Sequence, residues 1–199
     1  MRATPESPRM FNSNLLDSLS RTPWWSVPLL WIPGVTAFFV YGVIAHKLPL
    51  LASLGVAAAG WLVWTLVEYV LHRTVFHWKP STSWGPRMHF ILHGVHHDWH
   101  RDPYRLVMPP SVSLLLSVLF GVTFYFLIGS KWFWPYYAGF VGGYLVYDVT
   151  HYALHHLRLK NRVFRRLKKH HLLHHHSKQH SDRKFGVSTT LWDHIFRTY

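Results

Sequence analysis

The sequence contains no cysteine. That excludes a disulfide scaffold, thiolate metal sites and cysteine nucleophiles together. Carboxylates are scarce as well: 8 Asp and Glu stand against 21 Lys and Arg in 199 residues, a formal net charge of +13. Charge is absent altogether from four long stretches, residues 22–45, 48–67, 106–130 and 132–147. A disordered chain is excluded too, since 49% of the residues are hydrophobic and offset the entropy of ordering.

Roughly 20 apolar residues in a helix cross a ~30 Å hydrocarbon layer. The first three uncharged stretches are long enough. The fourth is shorter and continues through Asp148 to His155 if its end enters a polar site. The pattern predicts an all-α membrane protein with four transmembrane helices in two hairpins, turning at His46–Pro49 and Gly129–Lys131. Of the Lys and Arg residues, only Lys47 and Lys131 fall on the side of those turns. The positive-inside tendency then places both termini, the long middle loop and the active site on the cytoplasmic side of a bacterial inner membrane or an endoplasmic reticulum. The basic balance thus marks topology and anionic lipid, and no nucleic-acid partner is expected. Residues 1–21 read as a polar, loosely ordered arm, and residues 22–199 as one integral-membrane domain.

What is abundant is histidine, 18 in all and grouped. His72 and His77 end the second stretch. His93, His96 and His97 lie in the middle loop, His151 and His155 end the fourth stretch, and His171, His174 and His175 lie in the tail. Helical positions i, i+3 and i+4 share a face, so each H-x-x-H-H box is expected to present three imidazoles together. Neutral imidazole binds iron, zinc, copper and nickel well. Ten such groups suffice for two sites of about five ligands each. His46, on the opposite side, is excluded, and the remaining histidines are expected to be solvated or to support the ligands. Glu68 lies four residues before His72 and Asp148 three before His151. Each is expected to accept the other ring N–H of that histidine.

The ordered boxes, with the local texts LHRTVFH (71–77), HFILHGVHHD (89–98), YDVTHYALHH (147–156) and FGVSTTLWDHIFRT (185–198), resemble the fatty acid hydroxylase / sterol desaturase superfamily over residues 50–198. They are closest to its fatty acid 2-hydroxylase branch. The resemblance implies a cytosolic helical cap over the four spans and a dimetal centre held by His72, His77, His93, His96, His97, His151, His155, His171, His174 and His175. It implies two metal ions, iron for activity, with zinc able to replace iron in purified protein because divalent zinc outcompetes ferrous iron at nitrogen sites. It also implies a membrane lipid substrate, O2 and reducing electrons. Members often carry a fused cytochrome b5 domain, which 21 residues cannot form, so an external cytochrome b5-like or ferredoxin-like donor is expected. The basic run Arg158, Lys160, Arg162, Arg165, Arg166, Lys168 and Lys169 is a candidate docking face for that donor or for anionic lipid.

The predicted activity is hydroxylation of a fatty acyl chain near its carboxyl end, at C2 by the resemblance. The tail would lie between helices in a slot lined by Trp61, Trp64, Phe120 and Phe124. A sterol, carotenoid or other lipid oxidase or desaturase would use the same centre. A zinc transporter or storage protein fits less well, because transporters place ligands near the bilayer midplane, where residues 48–67 and 106–147 offer no histidine.

Overall fold

The computed structural model describes residues 6–199; the expected arm over residues 1–21 thus lies partly outside it. Among the described residues the chain is helical throughout, with no strand. A short helix α1 (Asn14–Leu19) precedes α2 (Ser26–Ala45) and α3 (Leu50–Val70), which runs on as a π-helical turn over Leu71–Phe76. The middle loop carries α4 (Gly85–His89), a second π turn (Phe90–Gly94) and α5 (Val95–Asp98). Then come α6 (Pro110–Ile128), α7 (Ser130–His156), α8 (Arg162–His176) and α9 (Leu191–Ile195).

Three segments are long and apolar enough to cross a membrane: Ser26–Ala45, Leu50–Phe76 and Pro110–Ile128. Their outer faces leave large apolar side chains such as Leu29, Ile44, Leu51, Leu115, Phe126 and Leu127 uncovered, as lipid-facing helices do. Helix α7 differs because protein surrounds it. It buries Phe133, Tyr137, Phe140, Val141, Tyr144, Tyr147 and Leu154 against the other helices. A helix enclosed by protein can carry Tyr and Gly where a lipid-facing one carries Leu, and α7 accordingly falls below the hydropathy of the other three.

Helices α3 and α7 approach closely through small residues. A Cβ on Gly139 would meet the Ala57 carbonyl oxygen at 1.8 Å, and one on Gly60 the Tyr136 carbonyl oxygen at 2.0 Å. Only glycine permits that contact, the usual device of membrane helix pairs. Above it, Trp64 of α3 packs edge-on against Phe140 and Tyr144 with centroids 5.2 and 5.3 Å away. This rigid pair carries His72 and His77 at one helix end and His151 and His155 at the other, so the packing aims four imidazoles at one place.

The arm is anchored rather than loose over its described residues. The Ser7 amide and hydroxyl donate to Asp102 at 2.9 and 2.5 Å, the Thr22 amide donates to the Tyr104 carbonyl at 2.6 Å, and Arg105 donates to Asp17 at 2.8 Å. Ser13 caps α1 by accepting from the Leu16 amide. The composition of the arm is polar, but its Asp17 carboxylate and Ser7 hydroxyl bond the buried residues Arg105 and Asp102, which orders it.

Candidate metal centre

The histidines reach one region by two devices. The first is the π turn. At about 100° per residue, an α-helix would set His72 and His77 on widely separated faces. A π turn bonds i to i+5, and the His77 amide does bond the His72 carbonyl, at 3.3 Å. The extra residue brings both rings to one side. π turns are concentrated at functional sites for this kind of reason. A second π turn, Phe90–Gly94, carries His93. The other device is ordinary helical spacing in α5, α7 and α8, with Asn161 capping α8 by accepting from the Phe164 amide at 2.7 Å.

The ten histidines form two groups of five: His72, His77, His93, His97 and His174 in one, and His96, His151, His155, His171 and His175 in the other. Within each group the facing ring nitrogens all lie within 4.8 Å of one another. The H-x-x-H-H boxes therefore do not present three imidazoles as units, contrary to the expectation from spacing. His93 and His97 turn to the first group and His96 to the second; His171 and His175 turn to the second and His174 to the first. Residues i and i+4 share a face more closely than i and i+3, so each box splits two and one and ties the groups together. His97 and His175, one from each group, stack with centroids 4.2 Å apart.

Nε2 atoms face Nε2 atoms at hydrogen-bond range: His72 to His93 at 3.1 Å, His77 to His174 at 3.1 Å, His96 to His151 at 3.0 Å and His155 to His171 at 2.8 Å. For two of them the tautomer is fixed. His72 Nδ1 lies 2.5 Å from the Phe185 carbonyl oxygen and His174 Nδ1 2.7 Å from that of Arg183. A carbonyl only accepts, so each Nδ1 carries the proton and each Nε2 turns a lone pair inward. Burial, first, and the neighbouring imidazoles hold the charged form off: His77 titrates at about 3, His97 at about 2, and His93, His96, His171 and His175 well below the ordinary histidine range. Converging neutral lone pairs repel one another unless a cation lies between them, so the residues fit a metal in each group.

The carboxylates do other work than expected. Glu68 accepts from the Val187 and Ser188 amides at 2.7 and 2.9 Å and from the Ser188 hydroxyl. Asp148 accepts from the Met108 amide at 3.1 Å and the Tyr144 hydroxyl at 3.0 Å. The expected bonds from Glu68 to His72 and from Asp148 to His151 are therefore corrected. His72 Nδ1 is already taken by Phe185, and both acids satisfy amides of irregular segments that no helix supplies.

Sequence reasoning missed Asp193. Fully buried, it accepts from the Phe185 and Gly186 amides at 2.9 Å each, from the Thr198 hydroxyl at 2.8 Å and from His170 Nε2 at 3.0 Å. Burial raises its pKa, but the bonds from His170, Thr198 and Gly186 outweigh that and lower it. Asp193 and Glu68 thus clamp 185–188, the loop whose carbonyl orients His72. The signal was the only Asp in the 185–198 text. The two groups differ in this outer support: Nδ1 of His96, His155, His171 and His175 is buried with no partner among the described residues.

Two cavities reach the centre. An apolar one of about 570 Å³ is walled by residues such as Phe76, Leu92, Leu106 and Leu116 and ends on His93, His96 and His151. A second one, of about 440 Å³, reaches His77 and His97 past Lys79, His89 and Asp98. The slot expected along Trp61, Trp64, Phe120 and Phe124 is not the apolar cavity. Trp61 is 46% exposed, Trp64 is packed in the core, and Phe120 and Phe124 close against Phe140 at 5.2 and 4.9 Å. Trp64 and Phe120 instead line a separate, small apolar cavity of about 20 Å³ together with Leu116, Phe140 and Tyr144, while Trp61 and Phe124 do not border it.

Residues 57–198 match the sequence model of the family described as fatty acid hydroxylase. A dihydroceramide fatty acyl 2-hydroxylase of Arabidopsis thaliana is 39% identical over 97% of this chain and 80% of its own length. A ceramide very long chain fatty acid hydroxylase of Saccharomyces cerevisiae is 39% identical over 94% of this chain and 48% of its own. A fatty acid 2-hydroxylase of Rattus norvegicus is 35% identical over 96% and 56%. A solved structure of full-length scs7p, with only the hydroxylase domain visible, superposes with a TM-score of 0.86 and 38% identity, covering 94% of this chain and 70% of that one.

Proposed function

The chain belongs to the fatty acid hydroxylase family, and from that premise we propose that it is an integral-membrane oxidoreductase that hydroxylates C2 of a fatty acyl chain. The observation that carries the reading is an apolar cavity ending on three histidines, His93 of one group and His96 and His151 of the other.

The ten histidines would hold two metal ions, iron for activity, whose chemistry is the activation of O2 toward a C–H bond. Everything else falls to the chain. The apolar walls take the acyl tail out of water, so that burial rather than polar contact provides most of the binding. Asp148 fixes the Met108 segment of that wall. Asp193 and Glu68 hold the 185–188 loop, and that loop keeps the His72 lone pair facing inward. The histidines lie at and beyond the helix ends, level with a lipid headgroup, which favours a carbon near the polar end of the chain.

Helix α7 is the fourth span, lined by its neighbours rather than by lipid, and α8, α9 and the middle loop form the cap on the cytoplasmic side of a bacterial inner membrane or endoplasmic reticulum. The exposed cations Arg158, Lys160, Arg162, Arg165, Arg166 and Lys169 offer a face to an acidic electron carrier of cytochrome b5-like or ferredoxin-like type. Lipid mass spectrometry of a host with and without the gene tests the function. A new acyl species with one added oxygen at C2 is expected. Oxygen located near the methyl end, or a new double bond without added oxygen, would overturn the 2-hydroxylase reading.

A further inference from the structure

Two histidines outside the ten stand together at the rim of the second group. His176 is the exposed last residue of α8, and His100 is half-buried just beyond α5. Their rings meet edge-on with centroids 4.9 Å apart and planes at 74°. A zinc ion held about 2.0–2.1 Å from each of two imidazole nitrogens, at a tetrahedral angle, sets the ring centroids roughly 5 Å apart. Pairs inside the two groups have the same geometry: 4.8 Å and 77° for His72 with His93, and 4.8 Å and 87° for His96 with His155. The Arg101 guanidinium acts on both rings and opposes a cation there, whereas the carbonyl end of α8 at His176 favours one. That balance suits weak, exchangeable binding.

The position of the pair gives it a use. His96, His151 and His171 of the second group are buried, while His155 and His175 are half-buried, so an ion reaches the group past these two. His100 adjoins both, with centroids 5.9 and 6.1 Å away. The imidazoles thus run in series from an exposed ring, through a half-buried one, to the group itself. A dication stripped of all its water before burial meets a large desolvation cost. Trading one water for one imidazole at a time avoids that step.

We propose that His100 and His176 form an outer site for a first-row divalent cation, through which the ion enters and leaves the second group. Two imidazoles hold the ion and water completes its shell, so positions stay open for transfer to His155 or His175. The proposal rests on the metal reading of the ten histidines and not on the C2 chemistry.

The test uses the full-length protein in detergent, with Zn2+ as the probe. After gel filtration the protein should hold its two tight ions. Equilibrium titration should then reveal one more, bound at least about a hundredfold more weakly because two imidazoles replace five. His100→Gln and His176→Gln should each lose that weak ion and keep the two tight ones, which also shows that both variants fold. His194→Gln, which removes an exposed histidine of α9, should keep all three. Reloading after chelation is followed in a His97→Ala background, which leaves the second group alone. There the ion should return several-fold more slowly when His100 or His176 is replaced. No weak ion in the wild type, one that survives in both variants, or one lost equally in His194→Gln would overturn the site. Unchanged reloading in variants that lack the weak ion would overturn its role as the entry. A wild type without tight ions would fail the metal reading of the ten histidines instead, and the weak ion would still decide whether the pair binds.

Discussion

His72 Nδ1 lies 2.5 Å from the carbonyl oxygen of Phe185, 113 residues further along the chain. That bond fixes the tautomer of a candidate ligand on α3 through a loop near the C-terminus, and the loop is in turn clamped by Glu68 and Asp193. Orientation of His72 is therefore set by residues that touch no metal position.

Glu68→Gln and Asp193→Asn are expected to weaken metal retention in the first group by about 10–100-fold, the usual cost of losing outer support. Competition against a chelator of known affinity measures this. Retention equal to wild type in both variants would show that the loop clamp does not act on the centre.

The second group lacks protein partners on four of its Nδ1 atoms. Chelation of the loaded protein is accordingly expected to proceed in two stages, with the second group emptied first. Metal content followed against chelator dose resolves the stages. A His171→Ala variant should show only the later, more resistant stage.

Gly139→Ala would drive a Cβ to 1.8 Å from the Ala57 carbonyl oxygen. Overpacking of this kind costs about 1–3 kcal/mol, and unfolding in detergent should shift accordingly. A methyl group added at Gly55 would meet nothing within 4 Å, so Gly55→Ala should be neutral or slightly stabilising, by about 0.5–1 kcal/mol, through helix propensity alone.

Stability of the metal-free protein should depend on pH in one direction. Histidine in an unfolded chain titrates near 6.5, whereas burial and neighbouring imidazoles hold His77 to about 3 and His97 to about 2. Below about pH 6.5 the unfolded chain binds protons that the folded chain does not. Stability is therefore full above that pH, falls as pH drops, and goes on falling until the folded values are reached. A Tm that is flat from pH 7 to 4 would contradict the burial of neutral imidazoles.

Period and charge made part of this legible in the sequence. Uncharged stretches located α2, α3, α6 and α7 closely, because a missing Lys or Asp over 20 residues has few other causes. Histidine spacing found the ten clustered residues. It did not show how they divide, because His93 and His96 differ by only part of a helical turn, and because no periodicity announces the π turns at Leu71–Phe76 and Phe90–Gly94 that set His72 and His93. The carboxylates were visible but paired wrongly. Glu68 is one turn from His72, yet the partners that claim it, Val187 and Ser188, arrive from about 120 residues away, and no local pattern carries such contacts. Arg105 was read as one more charge on the basic side, since its burial and its bond to Asp17 depend on the arm folding back over the loop.

Metal per chain in the purified full-length protein tests most directly whether the two groups of five histidines each close around one ion. The comparison is between wild type, His97→Ala and His171→Ala. Wild type should hold two ions, and each variant, still helical in its spans, should lose the ion of its own group. Full occupancy in both variants would contradict the account.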